Sequence, residues 1–206
     1  MKAAGRRAAP RDAKPAGEVR IIGGTWKRTK LPVLEREGLR PTPDRVRQTL
    51  FDWLGHDLSG WRVLDAFAGT GALGLEAASR GAVSVVCVEN EAALVKAMLA
   101  TKERLGAGML RIERADALAW MARAPRGEFE LVLLDPPFAD RLHAAAIERA
   151  LPLLAEGGML YVEAPEHLEP LPGMAEHRHL KAGQVHAHLW RKDESPVDTL
   201  PAPRRP

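Results

Sequence analysis

Val63-Leu64-Asp65-Ala66-Phe67-Ala68-Gly69-Thr70-Gly71-Ala72-Leu73-Gly74 reads as a short apolar strand that ends at a carboxylate, a glycine turn, and the opening of a helix. Gly69, Gly71 and Gly74 stand in G-x-G-x-x-G spacing, and the apolar run from Val83 closes on Glu89, twenty residues after Gly69. Glycines permit a tight turn and close approach of a ligand to backbone, while a carboxylate ending the second strand can accept both hydroxyls of a ribose. The stretch therefore predicts a nucleoside-binding strand–turn–helix unit.

The same alternation runs on through the chain. Strands are expected over 62–67, 83–89, 110–114 and 129–135, with helices from about Ala72, over 92–105, over 117–124 and from about Arg141 to Leu154. Strands alternating with helices imply a parallel sheet covered on both faces. Gly157-Gly158 introduces a strand over 159–163. Two further runs, near 177–180 and 185–190, flank the turn Ala182-Gly183-Gln184 and should close the sheet as an antiparallel hairpin. The fold class is thus α/β and Rossmann-like, a mostly parallel seven-stranded sheet with an antiparallel C-terminal hairpin. An N-terminal extension precedes it: Arg20 to Leu31 reads as a β-hairpin around Gly23-Gly24, and Arg40 to Leu54 as a helix with Pro43 at its first position and Val46, Leu50, Phe51 and Leu54 on one face.

Asp65 separates the candidate nucleosides. A carboxylate four residues before Gly69 puts negative charge where a pyrophosphate would lie, a repulsion that disfavours a dinucleotide such as NAD. A sulfonium compound with an α-ammonium group, S-adenosylmethionine, suits it instead. Asp116, just after the third strand, is placed to accept from an adenine amine and equally to cap the helix that starts at Ala117. The remaining signal is Asp135-Pro136-Pro137-Phe138, where an apolar strand ends in a carboxylate, two prolines and a ring. Prolines lack N–H donors and stiffen the chain, so carbonyls and Asp135 are available to accept both hydrogens of an exocyclic NH2 while Phe138 covers its heterocycle. By itself the tetrapeptide also reads as a strand followed by a turn.

With 206 residues and 46% hydrophobic content the chain can bury one sizeable core. It has no apolar run long enough to span a bilayer and no apolar stretch behind its basic N-terminus, so a cytoplasmic protein with no membrane association is expected, working as a monomer. The single cysteine, Cys87, lies within an apolar run and is expected in the core. Net charge is +3, yet residues 1–30 carry nine Lys/Arg against Asp12 and Glu18, a local +7 that leaves −4 for the rest. Such asymmetry points to a polyanion, nucleic acid first, met by Arg20, Lys27, Arg28 and Lys30 on an exposed ribbon. For residues 1–17 a solvated tail is an equal reading.

These motifs together resemble class I S-adenosylmethionine-dependent amino-methyltransferases, and more closely the RsmD family of bacterial 16S rRNA guanine-N2 methyltransferases, over about Arg20 to Trp190. The shared residues are Asp65-x-Phe-Ala-Gly-x-Gly71, Asp135-Pro-Pro-Phe138, Arg20-Ile-Ile-Gly-Gly24, Arg40-Pro-Thr-x-Asp-Arg-Val-Arg47, Leu50-Phe51 and Ala182-Gly-Gln-Val185. The resemblance implies that Thr42 and Arg45 help close the cofactor site, that Gly69 to Gly71 flank the methionine part, that Glu89 holds the ribose, and that Asp116 meets the adenine, with Asp65, Phe67 and Ala117 also among the cofactor-binding residues. It also implies a target guanine received by Asp135 to Phe138, in 16S rRNA or a small-subunit assembly particle, with Arg40 joining the RNA contacts.

Four segments follow: a basic tail over 1–17, an N-terminal hairpin and helix over 18–60 for RNA contact and cofactor closure, a methyltransferase domain over 61–192, and a proline-rich tail over 193–206. A DNA adenine-N6 or cytosine-N4 methyltransferase uses the same amine logic but lacks room here for a separate DNA-recognition domain. A non-catalytic RNA-binding protein would not need the full pocket. His177, His179, His186 and His188 form two H-x-H pairs, but no cysteine or carboxylate completes a ligand set, and no metal is expected.

Overall fold

The computed structural model describes residues 15–34, 44–138 and 141–193. Two strands, β1 (Pro15–Arg20) and β2 (Lys30–Leu34), pair antiparallel as a small separate sheet, followed by helix α1 (Asp44–Leu54). The main domain runs β3 (Arg62–Asp65), α2 (Ala72–Ser79), β4 (Ser84–Glu89), α3 (Ala92–Leu105), β5 (Leu110–Arg114), α4 (Ala117–Met121), β6 (Phe129–Leu134), α5 (His143–Ala150), β7 (Leu154–Ala164), β8 (Met174–Ala182) and β9 (Val185–Lys192). Its seven strands are ordered β5-β4-β3-β6-β7-β9-β8; β3 to β7 are parallel, and β9 is antiparallel to both its neighbours. The expected sheet is therefore present.

Alternation along the central strands splits the core in two. Val63, Val85, Cys87, Leu131, Leu133 and Tyr161 face α1, α2 and α3, while Leu64, Val86, Val88, Val132, Leu134 and Leu160 face α4 and α5. Strands covered on both faces lose a polar side altogether, which is why they read as continuous apolar runs. Helix α5 stops earlier than its periodicity suggests. Pro152 cannot donate to the ladder, so the chain tightens into a single 3-10 turn over Leu151–Leu153. β7 then begins at Leu154, five residues before the expected strand, with a register shift opposite Phe129 and Leu131 that absorbs Gly157 at φ +66°.

The N-terminal extension differs more. Hairpin strands exist, but they meet the expected segment only at its ends, Arg20 in β1 and Lys30 and Leu31 in β2, and residues 21–29 between them form a loop seated on the C-terminal end of α2. Ile22 and Gly23 donate their N–H groups to the Glu76 carboxylate at 2.7 and 2.8 Å, Thr25 N donates to Ser79 O and Trp26 N to Ser79 Oγ. Gly23-Gly24 is thus no hairpin tip. A Cβ on Gly23 would meet the Arg80 guanidinium at 2.5 Å; one on Gly24, at φ +71°, would meet Ser79 O at 1.8 Å. Gly24 is there because two backbones touch, Gly23 because the Arg80 side chain lies against it. The expected apolar stripe of α1 is buried as read, and Arg47 with it. Thr42, Arg40 and Pro43 lie outside the described residues, as do most of both tails.

Candidate active site

Parallel strands deliver their C-terminal ends to one edge of the sheet, and the order reverses between β3 and β6, opening a crevice there. Four carboxylates line up along that edge: Asp65 ends β3, Glu89 ends β4, Asp135 follows β6, and Glu163 lies at the end of β7. Between β3 and α2 the chain turns through Gly69 (φ +54°) and Gly71 (φ +77°), both left-handed. A Cβ on Gly71 would press on Met98 Sδ at 2.8 Å. Gly74 meets a different demand. Its own Cβ would come within 2.5 Å of Cys87 Sγ, so it sets how closely α2 packs on the sheet.

Glu89 clamps this turn: one oxygen accepts Gly69 N–H at 2.8 Å and the other Glu91 N–H at 2.8 Å. A carboxylate has about four lone-pair directions, and the two backbone bonds take one on each oxygen. Asp116 caps α4 through Ala119 N–H at 2.8 Å, leaving its side chain exposed beside buried Ala117. The capping reading holds, and it is compatible with ligand binding at the second oxygen. Phe67 is half-buried against the α4–α5 core, and Arg45 is exposed on the first turn of α1.

Asp65 requires a correction. Rather than presenting a charge to the ligand, it is 1% exposed and accepts Gly74 N–H at 2.9 Å. Burial raises its carboxyl to about 7, the Gly74 bond opposes this, and the charges of Asp135 and Glu89 push it further up. It positions the turn. Its carboxyl lies within the electrostatic reach of Asp135 and Glu89 at the strand ends, behind the turn and not in front of it.

At the β6 end, Pro136 is buried, Asp135 half-buried, and Pro137 and Phe138 exposed. The Phe138 ring lies 5.7 Å from that of His143, tilted by 45°. His143 is bound to Glu163 O at 3.1 Å, and burial holds its pKa below the usual value. A cavity of about 180 Å³ opens beside it, lined by His143, Ala144, Ile147, Leu168 and Leu171 among others. Tyr161 donates to Glu163 Oε1 at 2.8 Å, and burial, with Glu163 and Asp135 nearby, pushes the phenol well above its ordinary value.

Sequence reasoning missed Tyr161, Glu163, His143 and Arg47. For Glu163 a signal existed, since β3, β4 and β6 each end in or just before an acid. For Arg47 none did: a charged residue within an amphipathic helix reads as exposed, yet it is 0% exposed, donating to Asp44 Oδ1 at 2.6 Å and to Arg20 O at 2.8 Å. Burial lowers its pKa against the pull of Asp44, Glu76 and Glu163. The candidate RNA contacts Arg20, Lys27, Arg28 and Lys30 are all exposed on the N-terminal unit. Arg28 adopts φ +71°. Among the histidines, the sequence reading paired the wrong set: His179, His186 and His188 converge with His167, and His177 does not join them.

The model of the family described as conserved hypothetical protein 95 matches residues 19–191. The chain belongs to this family, the RsmD family. Curated relatives of this RsmD-family chain include ribosomal RNA small subunit methyltransferase D of Escherichia coli strain K12, 38% identical over 86% of the chain and 92% of the relative. The protein of the same name from Haemophilus influenzae is 40% identical over 74% of the chain and 79% of the relative. The solved structure of E. coli yhhF superposes with a TM-score of 0.78 at 37% identity, covering 87% of this chain and all of that one.

Proposed function

We infer that this RsmD-family protein methylates ribosomal RNA of the small subunit using S-adenosylmethionine, and we propose the exocyclic N2 of a guanine as the acceptor. The carrying observation is the pairing, across the β3–β6 switch, of a glycine turn clamped by Glu89 with a rigid Asp135-Pro-Pro-Phe138 rim. The residues present fit the cofactor: left-handed glycines leave backbone bare, Glu89 can accept hydroxyls, and Asp116 can accept an amine. S-adenosylmethionine supplies, when bound, a methyl carbon activated by a sulfonium.

Everything else is the work of this chain. A guanine amine is delocalised into its ring, and the nitrogen must pyramidalise before it can act as nucleophile. Asp135 and the Pro136 carbonyl accept its two N–H groups, favour the pyramidal form and stabilise the positive charge that grows on nitrogen. Phe138, 38% exposed, offers a face on which an extruded base stacks, worth about 1–3 kcal/mol. The proton leaves to Asp135 or to water. The exposed Arg20, Lys27, Arg28 and Lys30 hold phosphates, and Thr42, Arg45 and Arg40 belong to the same reading as cofactor and RNA contacts.

The test is transfer of labelled methyl to naked 16S rRNA, to small-subunit particles and to duplex DNA, with nucleoside digestion of the product. N2-methylguanosine from rRNA is expected. Label on adenine, on cytosine or in DNA would defeat the assignment.

A further inference from the structure

The C-terminal hairpin carries a histidine cluster that methyl transfer does not use. His179 on β8 lies directly opposite His188 on β9, and His186 is two residues from His188, so the three side chains share one face. His167 reaches the same place from the chain that leaves β7. One ring nitrogen of each of the four lies within 4.8 Å of one on every other. His179 Nε2 and His186 Nδ1 are 3.1 Å apart, and His167 stands edge-on to His179 with ring centres at 4.7 Å. His177 is excluded by the bulge between Glu176 and Arg178, and the charges acting on it are Arg178 and Arg191.

The buried member carries the argument further. His188 is 0% exposed; its Nδ1 has no hydrogen-bond partner, while its Nε2 accepts a long bond of 3.3 Å from Leu168 N–H and the ring also meets the Glu166 backbone. Sealed polar atoms without partners are rare in folded proteins and call for an explanation. Glu176 Oε2 stands 4.0 Å from that Nδ1, beyond hydrogen-bond reach, so it sets a negative charge beside the cluster while the Nδ1 lone pair stays open to a ligand.

We propose that His167, His179, His186 and His188 bind one divalent transition-metal ion of the zinc type, which ties the chain after β7 to the C-terminal hairpin. Imidazole nitrogens without hard oxygen donors select Zn²⁺, Cu²⁺ or Ni²⁺ over Mg²⁺ and Ca²⁺. Four protein ligands leave no open position, so the site is structural. Metal–nitrogen bonds of about 2.0–2.1 Å draw the four nitrogens closer than they stand here. His167, exposed and in a segment without regular structure, supplies the movement.

The test uses the full chain without an affinity tag, stripped with chelator and titrated with zinc chloride by calorimetry, alongside cobalt(II) absorption. One equivalent of zinc, a raised thermal midpoint and the visible bands of four-coordinate cobalt are expected. The double variant H167A/H186A, shown folded by circular dichroism, should lose all three. No saturable zinc binding to the native chain, or binding that survives in the double variant, overturns the proposal.

Discussion

Asp65 and Asp135 are two carboxylates at the same crevice with different tasks, and their substitutions separate those tasks. Asp135→Ala should abolish methyl transfer while cofactor affinity, measured by calorimetry, stays within a few-fold; equal loss of both would mean that the rim belongs to the cofactor pocket. Asp65 is judged by pH. Its carboxyl titrates near 7 when folded and near 3.8 when unfolded, so the unfolded chain gives up its proton first. Stability contributed by the protonated buried form is complete below about pH 4 and is lost as pH rises through 7, a change of about 4 kcal/mol from this one group. Asp65→Asn can still accept Gly74 N–H, and it should flatten that part of the stability–pH curve measured by urea unfolding at pH 5 and 8. A native chain with no such fall, or a variant with the same one, would show that Asp65 is ionised when folded.

At the scale of elements, helix α2 is the part on which both halves of the proposed machinery depend. Its N-terminal turn carries Gly69 and Gly71, and its other end holds the loop 21–29 through Glu76 and Ser79. Eight residues at about 1.5 Å each set the two roughly 12 Å apart. Glu76 is buried and binds Ile22 N–H, Gly23 N–H and Arg80 Nε together. Glu76→Ala leaves the Arg80 guanidinium buried and unpaired, and unfolding measurements should register a loss of about 3–5 kcal/mol. Amide exchange at Ile22 and Gly23 should quicken more than at β3. Gly24→Ala tests the same joint from the other side: with Ser79 O in the way, the loop must lift off, and protection of the Thr25 and Trp26 amides should fall without change in the parallel sheet. The Gly-Gly pair was legible as a special backbone position, but its purpose was not. A turn and a close approach call for the same residue, and only the partners Ser79 and Arg80, far downstream, tell them apart.

Over the whole molecule, charge is distributed by task. Arg20, Lys27, Arg28 and Lys30 are exposed together on the N-terminal unit, four carboxylates stand at the ends of the parallel strands, and no described helix is long and apolar enough to cross a membrane. Replacing Arg20, Lys27, Arg28 and Lys30 with alanine should reduce the slope of log affinity for rRNA against log salt by about one unit per lost phosphate contact, with little change in which nucleotide is methylated. An unchanged slope in filter-binding or anisotropy titrations would remove this surface from the interface. The parallel sheet, the glycine turn and the stiff Asp135-Pro-Pro-Phe138 backbone were readable from the residues because each is local: strand periodicity, φ requirements and missing N–H donors are properties of adjacent positions, and Glu89 followed from its spacing of twenty residues to Gly69. The burial of Asp65 under Gly74, the docking of residues 21–29 on α2, the sealed guanidinium of Arg47 and the meeting of His167 with the hairpin histidines were settled only in three dimensions. Each depends on what long-range packing places opposite a side chain, and that determines whether a charge is solvated, paired or pushed toward its neutral form.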